Sequence, residues 1–216
     1  MILQKYKGIL FDFDGTLVDS WPAVYAAMRA SFEYFNPDCD VSHIEQLKCN
    51  HLDYQASYRF VFKKEVDQSI IHFTEELYER TVVEDTKLFS GVERVLDFLK
   101  LNQLLWGIVT TKKKKFVHKI ISNLDCFHAC SVLICLEDVN NPKPNPEGLL
   151  KACQTLQAIP SEILYVGDSE NDICAAKACR MDSVCATYGY IKDMNIAKTW
   201  AANYYITRID ELIQII

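Results

Sequence analysis

The sequence predicts an α/β fold, in which a parallel sheet carries helices on both faces and a helical segment is inserted after the first strand. Two observations support this fold. After Asp85, short apolar runs alternate with segments of helical periodicity, an alternation that is typical of parallel sheets. Before Asp85, one β-rich run ends at Phe13, and the stretch from Trp21 to about Val83 is rich in Ala, Tyr, Phe, Glu and Lys. The first strand is therefore expected to join the later sheet.

The first element is a strand over Gly8–Phe13, which the turn residues Asp14-Gly15 bring to an end. The inserted stretch has breaks near Asn36-Pro37 and Lys48–Asn50, so four helices fit within it. The elements predicted after it are a helix around 92–99, a strand over 104–109, a helix over 112–123, a strand over 131–136, a helix around 149–156, a strand over 163–166, a helix over 171–179 and strands over 183–186 and 204–207.

The composition excludes several classes of protein. Of the 216 residues, 50% are hydrophobic and 24% charged, which is unlike a disordered or collagen-like chain. The net charge of −6 has the wrong sign for a nucleic-acid-binding footprint, and no apolar run is long enough for a signal peptide or a membrane span. We therefore expect a cytoplasmic monomer or homodimer that binds neither nucleic acid nor membrane. The nine cysteines contain no Cys-x-x-Cys pair and are expected to pack as small hydrophobic side chains.

Polar residues follow four of the predicted strands. In an open parallel sheet, ligands bind at the carboxyl ends of the strands. The polar segments are Asp12–Thr16, Thr110-Thr111, Pro142–Pro144 and Gly167–Asp172. They would bring three or four carboxylates, one lysine and several hydroxyls into one small crevice.

These residue types favour phosphoryl transfer with a divalent cation. Crowded carboxylates repel one another unless a cation or a proton compensates their charge. Mg²⁺ binds one or two carboxylates together with substrate phosphate, and the lysine and hydroxyls would then face an anionic substrate. A carboxylate can also act as a nucleophile that forms an aspartyl phosphate, and a second carboxylate two residues later can serve as general acid and base.

The same segments carry a resemblance to a known family. Asp12–Ser20 (Asp-Phe-Asp-Gly-Thr-Leu-Val-Asp-Ser) resembles the first signature of the haloacid dehalogenase superfamily in its phosphatase form. Thr110, Lys143 and the run Gly167–Asp172 resemble the second, third and fourth signatures in order and spacing. The resemblance spans nearly the whole chain, and the phosphoglycolate phosphatase-like enzymes are the most similar subgroup. It implies a Rossmann-like core formed by residues 1–16 and 84–216, with residues 17–83 as a small α-helical cap.

The resemblance also implies the catalytic residues. Asp12 would be the nucleophile that attacks phosphorus, and Asp14 the general acid and base. Thr110 would donate a hydrogen bond to the phosphoryl oxygens, and Lys143 would neutralise charge on the substrate and on the phosphoenzyme. The substrate would be a small phosphorylated metabolite, and the reaction phosphate monoester hydrolysis.

A Mg²⁺ site is implied beside these groups. Its ligands would be the side chains of Asp12 and Asp168 and the backbone carbonyl of Asp14, with Asp172 supporting the site from behind. Positioning and charge compensation are the main means by which proteins accelerate phosphoryl transfer.

Two further residues are expected to contact the substrate, namely Thr111 beside Thr110, and Lys48 in the cap. Other cap candidates are Asn50, Arg59, Lys63 and Lys64. The run Lys112–Lys115 lies at a predicted helix start, where the helix dipole disfavours cations. It is expected to be a solvated face, and its alternative role is an electropositive rim that attracts phosphate.

Three positions depart from the pattern of the resembled family. Thr111 replaces a usual Asn, and Pro142 replaces a Gly that commonly precedes the lysine. Arg180 stands where a Gly often closes the helix after the fourth signature, so a different turn is expected there. None of these changes removes a catalytic group.

Other functions stay open on the same scaffold. A phosphosugar mutase would retain Asp14, and a nucleotidase or pyrophosphatase would use the same acidic residues. A non-catalytic binding or regulatory protein is a further alternative from a different class. The sequence does not identify the substrate.

Overall fold

A six-stranded sheet of parallel neighbours lies at the centre of the larger of two compact units in the computed structural model, which describes residues 5–36, 40–48, 54–62 and 67–216. The larger unit consists of Met1–Asp19 and Leu88–Ile216, and the smaller unit of Ser20–Lys87. The strands are β1 (Gly8–Phe11), β2 (Val18–Asp19), β3 (Lys87–Leu88), β4 (Leu105–Val109), β5 (Val132–Ile134), β6 (Ile163–Gly167), β7 (Asp182–Ala186) and β8 (Tyr204–Ile206).

The order of the strands is β5-β4-β1-β6-β7-β8, so the first strand of the chain lies inside the sheet formed by the later ones. This order confirms the predicted doubly wound α/β fold. Strands β1 and β6 are buried along their whole length, as expected for central strands that helices cover on both faces. The strands β2 and β3 form a separate two-stranded sheet.

The helices are α1 (Trp21–Phe35), α2 (Tyr54–Phe62), α3 (Gln68–Thr81), α4 (Val92–Leu101), α5 (Lys114–Ile121), α6 (Glu147–Thr155), α7 (Glu170–Ala178) and α8 (Met194–Thr199). Short 3₁₀ helices span Val41–Leu47, Asp125–Ala129, Leu136–Asp138, Pro160–Glu162 and Ile209–Gln214. None of the helices within the described ranges is long and apolar enough to cross a bilayer.

The smaller unit is helical, with three α-helices and one 3₁₀ helix in its described residues where the sequence suggested four helices. Its core contains Met28, Phe32, Ile44, Leu47 and Tyr58. The Tyr58 hydroxyl contacts the hydroxyls of a serine in α1 and a threonine in α3, so this buried phenol is hydrogen-bonded within the unit.

Two helix ends differ from their predictions. Helix α5 begins at Lys114 rather than at Lys112, because the Lys112 backbone N–H donates to the Thr110 hydroxyl and the turn between them is not helical. After α7, Arg180 itself adopts a left-handed conformation, with a φ of 56°. The expectation of a different turn at Arg180 is therefore wrong, because the arginine takes the conformation that glycine usually supplies.

Candidate active site

The register of the central strands brings the predicted site residues to one edge of the sheet. Phe11 of β1 pairs with Ile108 of β4 and Val166 of β6. The residues that follow these strands, among them Asp12, Thr110 and Asp168, therefore leave the sheet at the same edge.

Lys143 is surrounded by acceptors from three of these strand ends. Its Nζ lies 2.8 Å from Oδ1 of Asp12 and 2.5 Å from Oδ1 of Asp172. It also donates to the Val109 carbonyl oxygen at 3.2 Å and to the Tyr165 hydroxyl at 3.0 Å. The Lys143 side chain is 5% exposed, and its two carboxylate neighbours raise its pKa although burial alone lowers it. Lys143 is therefore a fixed positive charge between two aspartates.

The oxygens of Asp172 are engaged by neighbouring residues of the core. Oδ1 accepts from the Tyr165 hydroxyl at 2.9 Å, in addition to Lys143. Oδ2 accepts from the Ser169 backbone N–H at 3.0 Å and from the Ser169 hydroxyl at 2.5 Å, which forms the capping box of α7. Burial alone would raise the pKa of Asp172, but Lys143 and these donors lower it. Such a carboxylate is better suited to orient Lys143 than to bind a metal.

Asp168 is enclosed by two glycines that approach it closely. A Cβ at Gly15, which has a φ of 78°, would lie 2.0 Å from Oδ2 of Asp168, and a Cβ at Gly189 would lie 2.5 Å from its Cβ. The Tyr190 backbone N–H donates to Oδ2 at 2.7 Å, and the Thr16 hydroxyl donates to Oδ1 at 3.3 Å. These two turns hold the Asp168 carboxylate in place.

The site contains more negative charge than Lys143 compensates. Asp12, Asp168 and Asp172 each offer one carboxylate oxygen, and these three atoms lie within 4.8 Å of one another. Burial, together with the Asp172 charge, raises the pKa of Asp12 to about 7, and burial with both neighbouring carboxylates raises the pKa of Asp168 well above its usual value. A hard cation relieves such repulsion, and an all-oxygen donor set suits Mg²⁺. The residues present therefore fit the metal that the sequence predicts.

Asp14 and Thr110 are linked through Lys112. The Lys112 Nζ donates to Oδ1 of Asp14 at 2.8 Å, while its backbone N–H donates to the Thr110 hydroxyl oxygen at 3.1 Å. The Lys112 side chain is 9% exposed and that of Asp14 is 26% exposed. Because the Thr110 oxygen accepts from the backbone, its own proton can be directed to an anionic ligand.

The two expected substrate contacts lie in different units. Thr111 is exposed and lines a small cavity together with Thr110 and Lys143. Lys48 is half-buried in the smaller unit, directly after the 3₁₀ helix Val41–Leu47. Arg59 lies in α2 and is exposed, whereas the cap candidates Asn50, Lys63 and Lys64 lie outside the described residues.

The expectation of a solvated lysine run is wrong for Lys112, which is nearly buried at the site. Lys114 pairs with Asp138 at 2.5 Å, and the Lys115 Nζ lies 4.6 Å from the centre of the Phe116 ring. The sequence did contain a signal that Lys112 lies at the site, because it follows Thr110, the predicted phosphate-binding residue, by two positions. The three lysines after it made the whole run resemble a solvated surface.

Sequence reasoning also missed Tyr165. This tyrosine lies in the fully buried strand β6, and its hydroxyl contacts both Lys143 and Asp172. A buried tyrosine hydroxyl usually has a hydrogen-bond partner, so a tyrosine within an apolar central strand was a signal for a nearby polar group.

Comparison with known proteins gives one family. The sequence model of the family described as "Haloacid dehalogenase-like hydrolase" matches residues 9–186. The chain is 31% identical over 216 residues to an N-acetylmuramic acid 6-phosphate phosphatase from Pseudomonas putida, a match that covers 99% of this chain and 97% of that protein. It is 34% identical over 211 residues to a phosphoglycolate phosphatase from Salmonella choleraesuis, which covers 87% of this chain and 84% of that protein.

A solved structure has the same fold. The crystal structure of a predicted phosphoglycolate phosphatase from Haemophilus somnus superposes with a TM-score of 0.85 at 25% sequence identity. The superposition covers 99% of both chains.

Proposed function

The chain belongs to the haloacid dehalogenase-like hydrolase family, and we propose that it hydrolyses a small phosphate monoester through a phosphoaspartate formed on Asp12. Its relatives are named phosphatases, so its enzyme class is phosphoric monoester hydrolase. The substrate and the roles of individual residues are the proposal.

One observation carries the proposed mechanism, the placement of Asp12. Its carboxylate lies 2.8 Å from the Lys143 ammonium, within a cluster of three carboxylates, and its side chain is 13% exposed. A desolvated carboxylate beside a fixed cation can approach an anionic phosphate, because the cation offsets part of the repulsion between them.

In the proposed first step, an Asp12 carboxylate oxygen attacks phosphorus and the bond between phosphorus and the ester oxygen breaks. Asp14 gives its proton to that oxygen, which leaves as the alcohol. Lys143 and the Thr110 hydroxyl hold the phosphoryl oxygens during this transfer.

In the second step, water attacks the phosphorus of the aspartyl phosphate and gives a proton to Asp14. The bond between phosphorus and the Asp12 oxygen breaks, which releases inorganic phosphate and restores both aspartates. Asp14 thus acts as acid and then as base, and each turnover leaves the protein unchanged.

Asp12, Asp168 and the Asp14 backbone carbonyl are the proposed holders of Mg²⁺. The metal, when bound, supplies positive charge to the phosphoryl oxygens. Asp172 would keep Lys143 oriented, as its hydrogen bonds support.

The proposed substrate resembles those of the two named relatives. Phosphoglycolate and N-acetylmuramic acid 6-phosphate are both phosphate monoesters of molecules that carry a carboxyl group. We assign the choice among such metabolites to the smaller unit, acting as a cap, with Lys48 and Thr111 as the residues expected to contact the substrate.

The test is phosphate release by the purified protein with Mg²⁺, measured for phosphoglycolate, N-acetylmuramic acid 6-phosphate, phosphosugars, nucleotides and pyrophosphate. We expect release from small phosphate monoesters and a loss of at least about 10³-fold in kcat for Asp12→Asn. The matched control is Asp125→Asn, because that aspartate is fully exposed and paired only loosely with His128.

Three results would overturn parts of the proposal. Wild-type rates in Asp12→Asn would show that Asp12 is not the nucleophile. An isomerised phosphosugar without free phosphate would indicate a mutase, and activity confined to nucleotides or pyrophosphate would replace the proposed substrate class.

A further inference from the structure

Lys112 is a second nearly buried lysine at the site, and the proposed reaction steps do not use it. Its backbone is fixed on both sides, since its N–H donates to Thr110 and its carbonyl oxygen accepts from the Leu136 N–H at 3.2 Å. Its ammonium reaches Asp14, whose position lies 98 residues earlier in the chain. Because the Lys112 ammonium is held in place and is shielded from water, it interacts strongly with an anion that binds next to it.

The partner of Lys112 defines which side of the substrate it faces. In the proposed function, on which this inference rests, Asp14 serves the oxygen of the leaving alcohol and Asp12 attacks from the opposite side of phosphorus. Lys143 contacts Asp12, whereas Lys112 contacts Asp14. In that mechanism the two lysines would face opposite sides of the transferred group, and Lys112 would face the leaving group.

We propose that Lys112 determines specificity for phosphate esters whose leaving alcohol carries an anionic group, a carboxylate in particular, close to the ester oxygen. The Lys112 Nζ lies 2.8 Å from Oδ1 of Asp14, the residue that would serve the ester oxygen. A carboxylate one or two carbons beyond that oxygen would then come next to the Lys112 ammonium. A charge-assisted hydrogen bond in such a place changes a binding constant by about 10- to 100-fold.

A purely positional role is the competing explanation. If Lys112 only orients Asp14, its removal slows the reaction of every phosphate ester by a similar factor. If it binds the leaving group, its removal affects anionic leaving groups far more than neutral ones. The comparison of two substrates that differ at this one group, anionic in one and neutral in the other, separates the two roles.

The experiment compares phosphoglycolate with 2-hydroxyethyl phosphate, in which a hydroxymethyl group replaces the carboxylate. We expect wild-type protein to prefer phosphoglycolate in kcat/KM by about 10-fold or more. Lys112→Met should reduce this preference by about 10- to 100-fold, mostly through KM for phosphoglycolate, and Lys112→Arg should retain most of it. Lys115→Met, a change at an exposed lysine of the same run, should leave the preference unchanged.

Each other outcome has a definite meaning. If wild-type protein hydrolyses both esters with equal kcat/KM, the inference is wrong although the proposed function stands. An equal loss on both substrates in Lys112→Met would reduce Lys112 to a positioning residue, and an equal loss of preference in Lys115→Met would indicate a general surface field. If wild-type protein releases phosphate from neither ester nor from any other monoester, the proposed function is wrong, and the inference that rests on it is wrong as well.

Discussion

The two lysines of the site occupy similar surroundings but are held differently. Each lies 2.8 Å from one aspartate of the first signature, Lys143 from Asp12 and Lys112 from Asp14, and both side chains are less than a tenth exposed. Lys143 has a second carboxylate, Asp172, together with two further acceptors, whereas the partner of Lys112 is a quarter exposed. The side with Asp12, Lys143, Asp168 and Asp172, which would bind the constant phosphoryl group, is thus more deeply enclosed than the side with Asp14 and Lys112, which would meet the variable leaving group. We call them the enclosed side and the open side.

The largest expected effect comes from removing each charge in turn. Lys143→Met leaves two largely buried carboxylates without their cation, which should lower the free energy of unfolding by about 3–5 kcal/mol. Lys112→Met leaves a carboxylate that water can partly solvate, so the expected loss is about 1–2 kcal/mol. Urea denaturation of both variants at pH 8 without Mg²⁺ measures the difference, and equal losses would remove the distinction between the two sides.

Metal addition tests the same distinction. A ligand present at about 100 times its Kd stabilises a protein by about 2.7 kcal/mol, so Mg²⁺ at that excess should raise the wild-type Tm by about 5 °C or more over the value in EDTA. Asp168→Asn should lose most of this gain in Tm, because it removes a proposed metal ligand from the enclosed side. Lys112→Met should keep the gain, and a gain retained in Asp168→Asn would contradict the proposed metal site.

Tyr165→Phe is a milder perturbation of the enclosed side. It deletes the hydroxyl that contacts Lys143 and Asp172 but leaves both charges in place. We expect kcat to fall about 10-fold with little change in KM, because the loss of the buried hydrogen bonds of this hydroxyl, worth about 1–2 kcal/mol, would misplace Lys143. Steady-state kinetics measure this split. Tyr205→Phe, at an exposed tyrosine of β8, is the control, and a matching loss there would show that the effect is not local.

The enclosed side is also the side that sequence reasoning described best. Asp12 and the run Gly167–Asp172 lie at the ends of apolar strands, Lys143 lies in the loop before α6, and the structure brings their side chains together. A buried parallel strand leaves a clear pattern, since its apolar residues are contiguous and its polar end is abrupt. The doubly wound fold and this half of the site could therefore be predicted from local patterns.

The open side could not be predicted in the same way. A run of four lysines is typical of a solvated helix start. In the folded chain the Lys112 backbone N–H donates to the Thr110 hydroxyl, and the helix begins only at Lys114. The Lys112 side chain then contacts Asp14. That contact joins residues 98 positions apart, and no local spacing encodes it. The Tyr165 contact to Lys143 is hidden for a similar reason, because it depends on which face of β6 the ring occupies.

The ion pair of Lys5 with Asp182 provides a reference for what burial adds, and it carries the smallest expected effect. Its 2.8 Å separation equals that of Lys143 and Asp12, but its side chains are 56% and 32% exposed. Hydrogen bonds from Lys5 and from the Tyr6 hydroxyl lower the pKa of Asp182 below its usual value. The stabilisation is therefore fully present above the unfolded pKa of about 4 and is lost as the pH falls through the lower folded pKa.

Asp182→Asn should cost less than about 1 kcal/mol at pH 7, because an exposed pair of this kind contributes little. Urea denaturation from pH 7 to pH 3 should show the difference between wild type and variant shrinking toward acid. A cost at pH 7 as large as that of Lys143→Met would mean that distance, rather than burial, sets the strength of these pairs.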